Sequence, residues 1–301
     1  MPLVENRNGE LVPFERLNPG PEIYEKEIEQ LVWDDLETFT GQSLFRVARQ
    51  ARVVNGGVLD ILALNEYGQV VVIEIKRDID RNQLAQCLEY AGWARLTNLD
   101  ELANLYNGGS GDHQGVEAFF RDWQNFTDTA TPLTINPQPR LLLIARDFQD
   151  RMRSAIDFLR EYSVPIMVIP VTKYKDEDGR EFINIEADNG PDGALVQKSG
   201  LSRQVSIMDL LSDDLLKVNE TVVYDRPQSG ETYKATIAAN GAFILPDGTI
   251  CTSPSDAAKR SAKLVSVNGW EAWKVPRLDG MKLIELREIY LRKLSLTAIE
   301  T

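Results

Sequence analysis

The sequence predicts an α/β protein: a sheet covered by helices on both faces, followed by a small α+β unit. Two patterns carry this. Between residues 57 and 187, strands that are apolar on both faces alternate with segments at helical spacing, as in a sheet buried on both sides. Beyond residue 220 the strands shorten and are separated by Asn240-Gly241 and Asp247-Gly248, both hairpin-turn dipeptides. The predicted organisation is an N-terminal arm (1–22), a first domain (23–187), a linker (188–219) and a C-terminal domain (220–301).

The elements follow in order. Residues 1–22 are rich in Pro, Gly and Asn. From Ile23 to Phe39, Ile28, Leu31, Val32 and Leu36 fall on one helical face, and Glu22, Glu25, Glu27 and Glu29 favour the positive end of the helix dipole. Gly57–Leu64 and Val70–Lys76 read as two strands, with Asn65–Gln69 as their hairpin connection. Helices are predicted over Asp80–Leu96 and Asp100–Tyr106. A strand (Arg140–Ala145), a helix (Gln149–Tyr162) and two strands (Pro165–Tyr174, Arg180–Ala187) complete the domain. The Gly108-Gly109-Ser110-Gly111 loop lacks the Lys of a phosphate loop. In the last unit, strands are predicted over Tyr233–Ala239, Ala242–Leu245 and Thr249–Cys251. A helix capped by Ser253 with Pro254 in its first turn follows, and Met281–Leu294 closes the chain.

Composition bounds the function. The 301 residues carry 33 Lys plus Arg against 46 Asp plus Glu, a formal net charge of -13. The acidity is uneven: residues 221–301 hold 11 basic and 9 acidic side chains. Bulk charge opposes nucleic-acid binding, so any such binding must rest on a local site. Two cysteines, Cys87 and Cys251, make no disulfide framework, and the lone His113 excludes sites that need two imidazoles. No apolar stretch of membrane-spanning length and no signal-like start occur, so the expectation is a cytoplasmic protein with no membrane partner.

The first hairpin holds the chemistry. Asp60, Glu74 and Lys76 interrupt apolar strands, and a buried charge costs several kcal/mol unless it is paired or bound to a metal. With Glu66-Tyr67-Gly68 as the loop and Gly68 left-handed, Asp60 falls directly opposite Glu74. Facing carboxylates about 5 Å apart repel. A divalent cation between them turns that liability into a site, and oxygen ligands suit Mg²⁺ or Mn²⁺.

Gly-Gly-Val-Leu-Asp60, then Glu74-Ile75-Lys76, then a helix bearing Gln86-x-x-x-Tyr90, resembles the PD-(D/E)XK nucleases, in particular the RecB-type branch. The resemblance implies a restriction-endonuclease-like mixed sheet flanked by helices. It further implies metal binding by Asp60, Glu74 and the Ile75 carbonyl, with Lys76 placing the attacking water and Gln86 and Tyr90 supporting the site. A first-helix glutamate completes the set: Glu29 is favoured, with Glu25 on the same face the alternative. The proline usual before the motif aspartate is replaced by Leu59. Cys87 reads as a small buried residue.

Gly230-x-x-Tyr233, Asn240-Gly241, Asp247-Gly248, Ser253-Pro254-Ser255 and Asn268-Gly269-Trp270-x-x-Trp273 occur in the order seen in the RAMA module, which the C-terminal domain resembles. That resemblance implies DNA binding with sensitivity to modified bases. Ser253 would open a helix whose free N–H groups take a phosphate, Lys259, Arg260 and Lys263 would supply the positive face, and Trp270 would stack on a base. The function so implied is an Mg²⁺-dependent DNA endonuclease of restriction or defence, with DNA as partner and a homodimer as one way to cut both strands. The alternatives are a non-catalytic DNA-binding adaptor on a nuclease scaffold, or a repair nuclease for mismatched or branched DNA.

Overall fold

A computed structural model describes residues 3–53, 57–79, 81–109, 114–127, 133–186, 205–226 and 229–297. Where an arm was expected, the chain opens with a hairpin, β1 (Val4–Arg7) and β2 (Glu10–Pro13), and a two-residue strand, β3 (Glu15–Arg16). The first domain continues with α1 (Pro21–Asp34), α2 (Leu36–Thr40), β4 (Phe45–Arg52), β5 (Val58–Leu64) and β6 (Gln69–Ile79). Next come α3 (Arg81–Leu96), α4 (Leu99–Leu105), α5 (Gly115–Thr127), β7 (Asn136–Phe148), α6 (Asp150–Glu161), β8 (Ile166–Lys175) and β9 (Glu181–Ile185).

The sheet runs β3-β8-β7-β6-β5-β4, with β9 also on β8. β6–β7 and β7–β8 are parallel and the other pairs antiparallel, so the sheet is mixed, as predicted. Helices flank it on both faces. Val70, Val72, Leu141 and Leu143 pack under α3 to α6, while Val71, Ile73, Leu142 and Ile144 pack under α1 and α2. Each fully buried aliphatic of this kind stabilises the fold by about 1.5–3 kcal/mol. The alternation leaves β6 and β7 with no face toward water, which is why their sequences read as continuous apolar runs.

The helix expected over 23–39 is two helices. Asp35 closes α1 through its N–H to the Leu31 carbonyl, and its side chain accepts from Thr38 N at 3.2 Å to cap α2. Aspartate competes for backbone donors in this way, so it sits better at a cap than inside a helix. β4 and α5 were not expected. Both contribute to the largest core, through Phe45, Phe119, Trp123 and Phe126.

The C-terminal domain comprises α7 (Ile207–Ser212), β10 (Thr221–Arg226), β11 (Glu231–Ile237), β12 (Phe243–Ile244), β13 (Ile250–Cys251), α8 (Pro254–Ala262), α9 (Gly269–Ala272), β14 (Trp273–Val275), β15 (Met281–Lys282) and α10 (Leu283–Thr297). Its antiparallel sheet runs β13-β12-β11-β10-β14-β15 around a core centred on Trp273 and Phe243. Val205, Ile207, Leu210 and Leu216, which fell in the expected linker, pack into this core. Residues 188–204 of that linker lie outside the described residues. Among the described residues, no helix is long and apolar enough to cross a membrane.

One turn is decisive for the register that follows. Gly68 has φ +72°, and a Cβ there would stand 2.1 Å from the Thr134 carbonyl oxygen. Gly68→Ala should therefore lower the urea-unfolding midpoint, by about 1–3 kcal/mol of stability for the strained backbone alone. An unchanged midpoint would show that the turn is less constrained than this geometry implies.

Candidate active site

The β5–β6 register pairs Ile61 with Ile73, Leu62 with Val72, Ala63 with Val71 and Leu64 with Val70. The paired stretch ends at Ile61 and Ile73, and Asp60 and Glu74 are the next residue on each strand, bridged by Lys76. The loop is the expected one: Asn65 N–H donates to the Gln69 carbonyl, with Gly68 left-handed.

Glu74 is 1% exposed, and among the described residues no donor is aligned for a hydrogen bond to either of its carboxylate oxygens. Lys76 Nζ stands 3.0 Å from Glu74 Oε1 as an ion pair and 3.1 Å from Asp60 Oδ2, and it donates to the Ile75 carbonyl at 3.0 Å. Asp60 Oδ2 also accepts from Ile75 N at 2.8 Å. Burial pushes the Glu74 pKa well above the usual carboxylate range, the Asp60 charge adds to this, and Lys76 opposes it. Burial works against the Lys76 charge, but Asp60 and Glu74 together outweigh it and hold the ammonium form.

Two carboxylates and the Ile75 carbonyl offer hard oxygen donors of the kind Mg²⁺ or Mn²⁺ takes, with Lys76 Nζ the positive charge now beside all three. Among the described residues no three His, Cys, Asp or Glu side chains come together to hold a metal ion, so an ion here would have Asp60 and Glu74 without a third acid. An open site of this kind leaves positions for water and a substrate phosphate.

The first-helix glutamates diverge. Glu29 Oε2 accepts from Gln50 Nε2 at 2.6 Å, and the same amide lies 3.4 Å from Asp60 Oδ1. Burial raises the Glu29 pKa; the Gln50 hydrogen bond lowers it, Asp60 raises it, and Arg49 lowers it. Glu25 Oε1 instead accepts from Arg77 N at 3.2 Å, and Glu27 pairs with Lys173 at 2.7 Å. Glu29 is therefore the one joined to the Asp60 carboxylate, through Gln50. Sequence reasoning missed Gln50. Its φ of +49° on β4 aims the amide at both acids, and no local sequence signal marks a glutamine for that conformation.

Gln86 Nε2 donates to Tyr90 Oη at 2.6 Å, and Tyr90 Oη donates to the Val58 carbonyl at 2.8 Å. These two residues thus hold the start of β5, two positions before Asp60. A Cβ at Gly57 would lie 2.6 Å from the Tyr90 ring, so glycine is what lets the ring close over the strand. Cys87 is fully buried, with its thiol pKa pushed up by burial. His113 lies outside the described residues.

The residues expected to meet DNA in the C-terminal domain are arranged otherwise. Ser253 is 2% exposed: its hydroxyl caps α8 by accepting from Asp256 N and donates to Asp35 Oδ1 at 3.0 Å. Ser255 N donates to Glu37 Oε2 at 3.1 Å, and buried Trp270 donates its Nε1 to Glu37 Oε1. The α8 start thus faces two carboxylates of the first domain, where a phosphate was expected. A helix N-terminus attracts any anion, and Asp35 and Glu37 supply it within the chain. Lys259 Nζ bonds to the Asp34 carbonyl at 2.8 Å, and Arg260 pairs with Asp256 at 2.8 Å. Lys263 is exposed at the C-terminal end of α8.

A family model described as Restriction Enzyme Adenine Methylase Associated, RAMA, matches residues 188–296. No curated protein matches the chain. Two solved structures resemble it. One is a repair endonuclease from Pyrococcus abyssi, at 13% identity and TM-score 0.28, covering 48% of this chain and 45% of that one. The other is an EndoMS complex with double-stranded DNA, at 14% identity and TM-score 0.31, covering 56% of this chain and 64% of that one. The chain thus spans less than two thirds of the length of either.

Glu37 offers a direct check on the domain seam. Burial raises its pKa to about 7, Asp35 adds to this, and the Ser255 and Trp270 donors oppose it. The unfolded chain releases that proton near 4.5, so the folded state binds more protons between pH 4.5 and 7. Its contribution to stability is present below 4.5 and is lost as pH rises to about 7, on the order of 3 kcal/mol in total. In EDTA, Glu37→Gln should flatten the decline in urea midpoint between pH 4.5 and 7.5. A slope equal to that of the parent would assign the titration to another group.

Proposed function

We propose that this chain hydrolyses phosphodiester bonds in DNA using a divalent cation, Mg²⁺ or Mn²⁺, held by Asp60, Glu74 and the Ile75 carbonyl. The observation that carries the reading is Glu74. It is an acid with both oxygens buried, near a second acid, and among the described residues one lysine spanning the two is its ion-pair partner. A purely structural strand gains nothing from that arrangement, since the desolvation cost is only partly offset by one ammonium.

When bound, the cation supplies a lowered pKa for a water and charge stabilisation at the scissile phosphate. Lys76 orients the attacking water and offsets negative charge as it develops on the phosphate. Glu29, through Gln50, fixes the outer face of Asp60. Gln86 and Tyr90 act through the backbone, holding the β5 start so that Asp60 keeps its place. They are positioning residues.

DNA is the substrate, and the RAMA match favours foreign or modified DNA as the target, in restriction or defence. Of the expected DNA contacts in that domain, Arg260 and Lys263 keep exposed cationic side chains. Cutting both strands takes two such sites, which a homodimer supplies.

Plasmid nicking tests the proposal. Methylated and unmethylated plasmids, with mismatched and branched duplexes beside them, should be nicked with Mg²⁺ or Mn²⁺ and left intact in EDTA. Asp60→Asn and Lys76→Ala should each lower the rate roughly 10²-fold or more. The preferred substrate separates a restriction role from a repair role. Absence of metal-dependent strand breaks on every substrate, or full activity in Lys76→Ala, would overturn the reading.

A further inference from the structure

We propose that a cavity at the other end of the sheet, between the β5–β6 hairpin tip and α10, is an anion site that takes a phosphate group. It lies about 16 Å along the strand from Glu74, at roughly 3.3 Å per residue. The cavity has a volume of about 270 Å³ and is lined by Gln42, Asn65, Glu66, Gln69, Arg140 and Arg287, among others.

Arg140, near the start of β7, is the reason. It is 5% exposed, and among the described residues its only side-chain hydrogen bond runs from Nη1 to the Gln42 side-chain carbonyl. Its Nε and Nη2 are buried and have no partner among those residues. No carboxylate pairs with it among the described residues, and burial alone pushes its pKa down to about 10. A buried guanidinium without a counter-charge costs several kcal/mol, whereas an apolar side chain would fill the same space at no such cost. The unsatisfied Nε–Nη2 edge is the fork that grips two oxygens of an oxyanion at once.

The rest of the lining fits an anion. Arg287 of α10 brings a second positive charge from the C-terminal domain. Glu66, the acid in the lining, accepts from Asn268 Nδ2 at 2.7 Å across the seam. Asn65 Nδ2 donates to Gln69 Oε1 and Gln69 Nε2 donates to the Gln138 carbonyl, forming a fixed polar wall. The lining carries two guanidinium groups and one carboxylate. A phosphate bearing more than one negative charge balances that set better than a carboxylate does. Because the lining comes from both domains, an occupant would also tie them together. The phosphate has two sources: a free phosphate or phosphate monoester, or the backbone of a DNA strand crossing the seam.

The full chain, kept in EDTA, tests this without any strand cleavage, so the outcome is independent of the nuclease reading. Inorganic phosphate, against chloride at equal ionic strength, should raise the thermal midpoint of the parent and leave Arg140→Gln unmoved. Arg287→Gln, at the cavity wall, should weaken phosphate binding by calorimetry about fivefold or more, and it serves if Arg140→Gln does not fold. Anisotropy of a labelled duplex separates the sources. A tenfold loss of DNA affinity in either variant marks a backbone phosphate. Unchanged DNA affinity with lost phosphate binding marks a free one. Phosphate and DNA responses equal in the parent and the folded variants would overturn the proposal.

Discussion

A carboxylate on an interior strand of a sheet buried on both faces is the constraint around which the first domain is organised. Glu74 belongs to the alternation of Val70 and Val72, facing the α3 side, with aliphatic Leu143 beside it in register on β7. Among the described residues its charge has one ion-pair partner, Lys76, which it shares with Asp60. The surroundings serve to keep that arrangement in place. Gly68 sets the register, the Tyr90 hydroxyl holds the Val58 carbonyl, and Gln50 links Asp60 to the helix on the opposite face. An energetic liability maintained by so many separate contacts is the usual mark of a site whose partner is a ligand.

The same logic explains how the two domains meet. The N-terminus of α8 presents unpaired N–H groups and a positive dipole end, which need an anion. Asp35 and Glu37 meet that need from the first domain, with Trp270 completing the Glu37 contacts. The helix break between α1 and α2 is what makes this reach feasible, since Asp35 is both the cap of α2 and the partner of Thr252 and Ser253. The C-terminal domain is therefore docked through the residues that a free module would have available for a phosphate.

Much of this was legible in the sequence wherever the information is local. The hairpin register followed from one glycine and the alternation around it, and the cap at Ser253 followed from Ser-Pro at a helix start. The Gln86–Tyr90 spacing placed both on one helical face. What escaped notice depends on contacts far apart in the chain or on unusual backbone. Gln50 acts through a left-handed conformation that glutamine rarely adopts. Asp35 and Glu37 lie more than 210 residues from their partners. At the α8 start the sequence shows a need for charge without showing which charge arrives, and in the fold Asp35 and Glu37 stand there. Arg140 read as the edge of a strand, and only the fold reveals that no acid accompanies it inside.

The claim that Asp60 and Glu74 are held together by a cation is most directly tested by Mn²⁺ calorimetry on the intact chain, joined to anomalous scattering from soaked crystals. The account predicts saturable binding in the parent, with the ion between the two carboxylates and beside the Ile75 carbonyl, and its loss in Glu74→Gln. Crystals with no ion there, or Mn²⁺ affinity unaltered by removing the Glu74 charge, would contradict it.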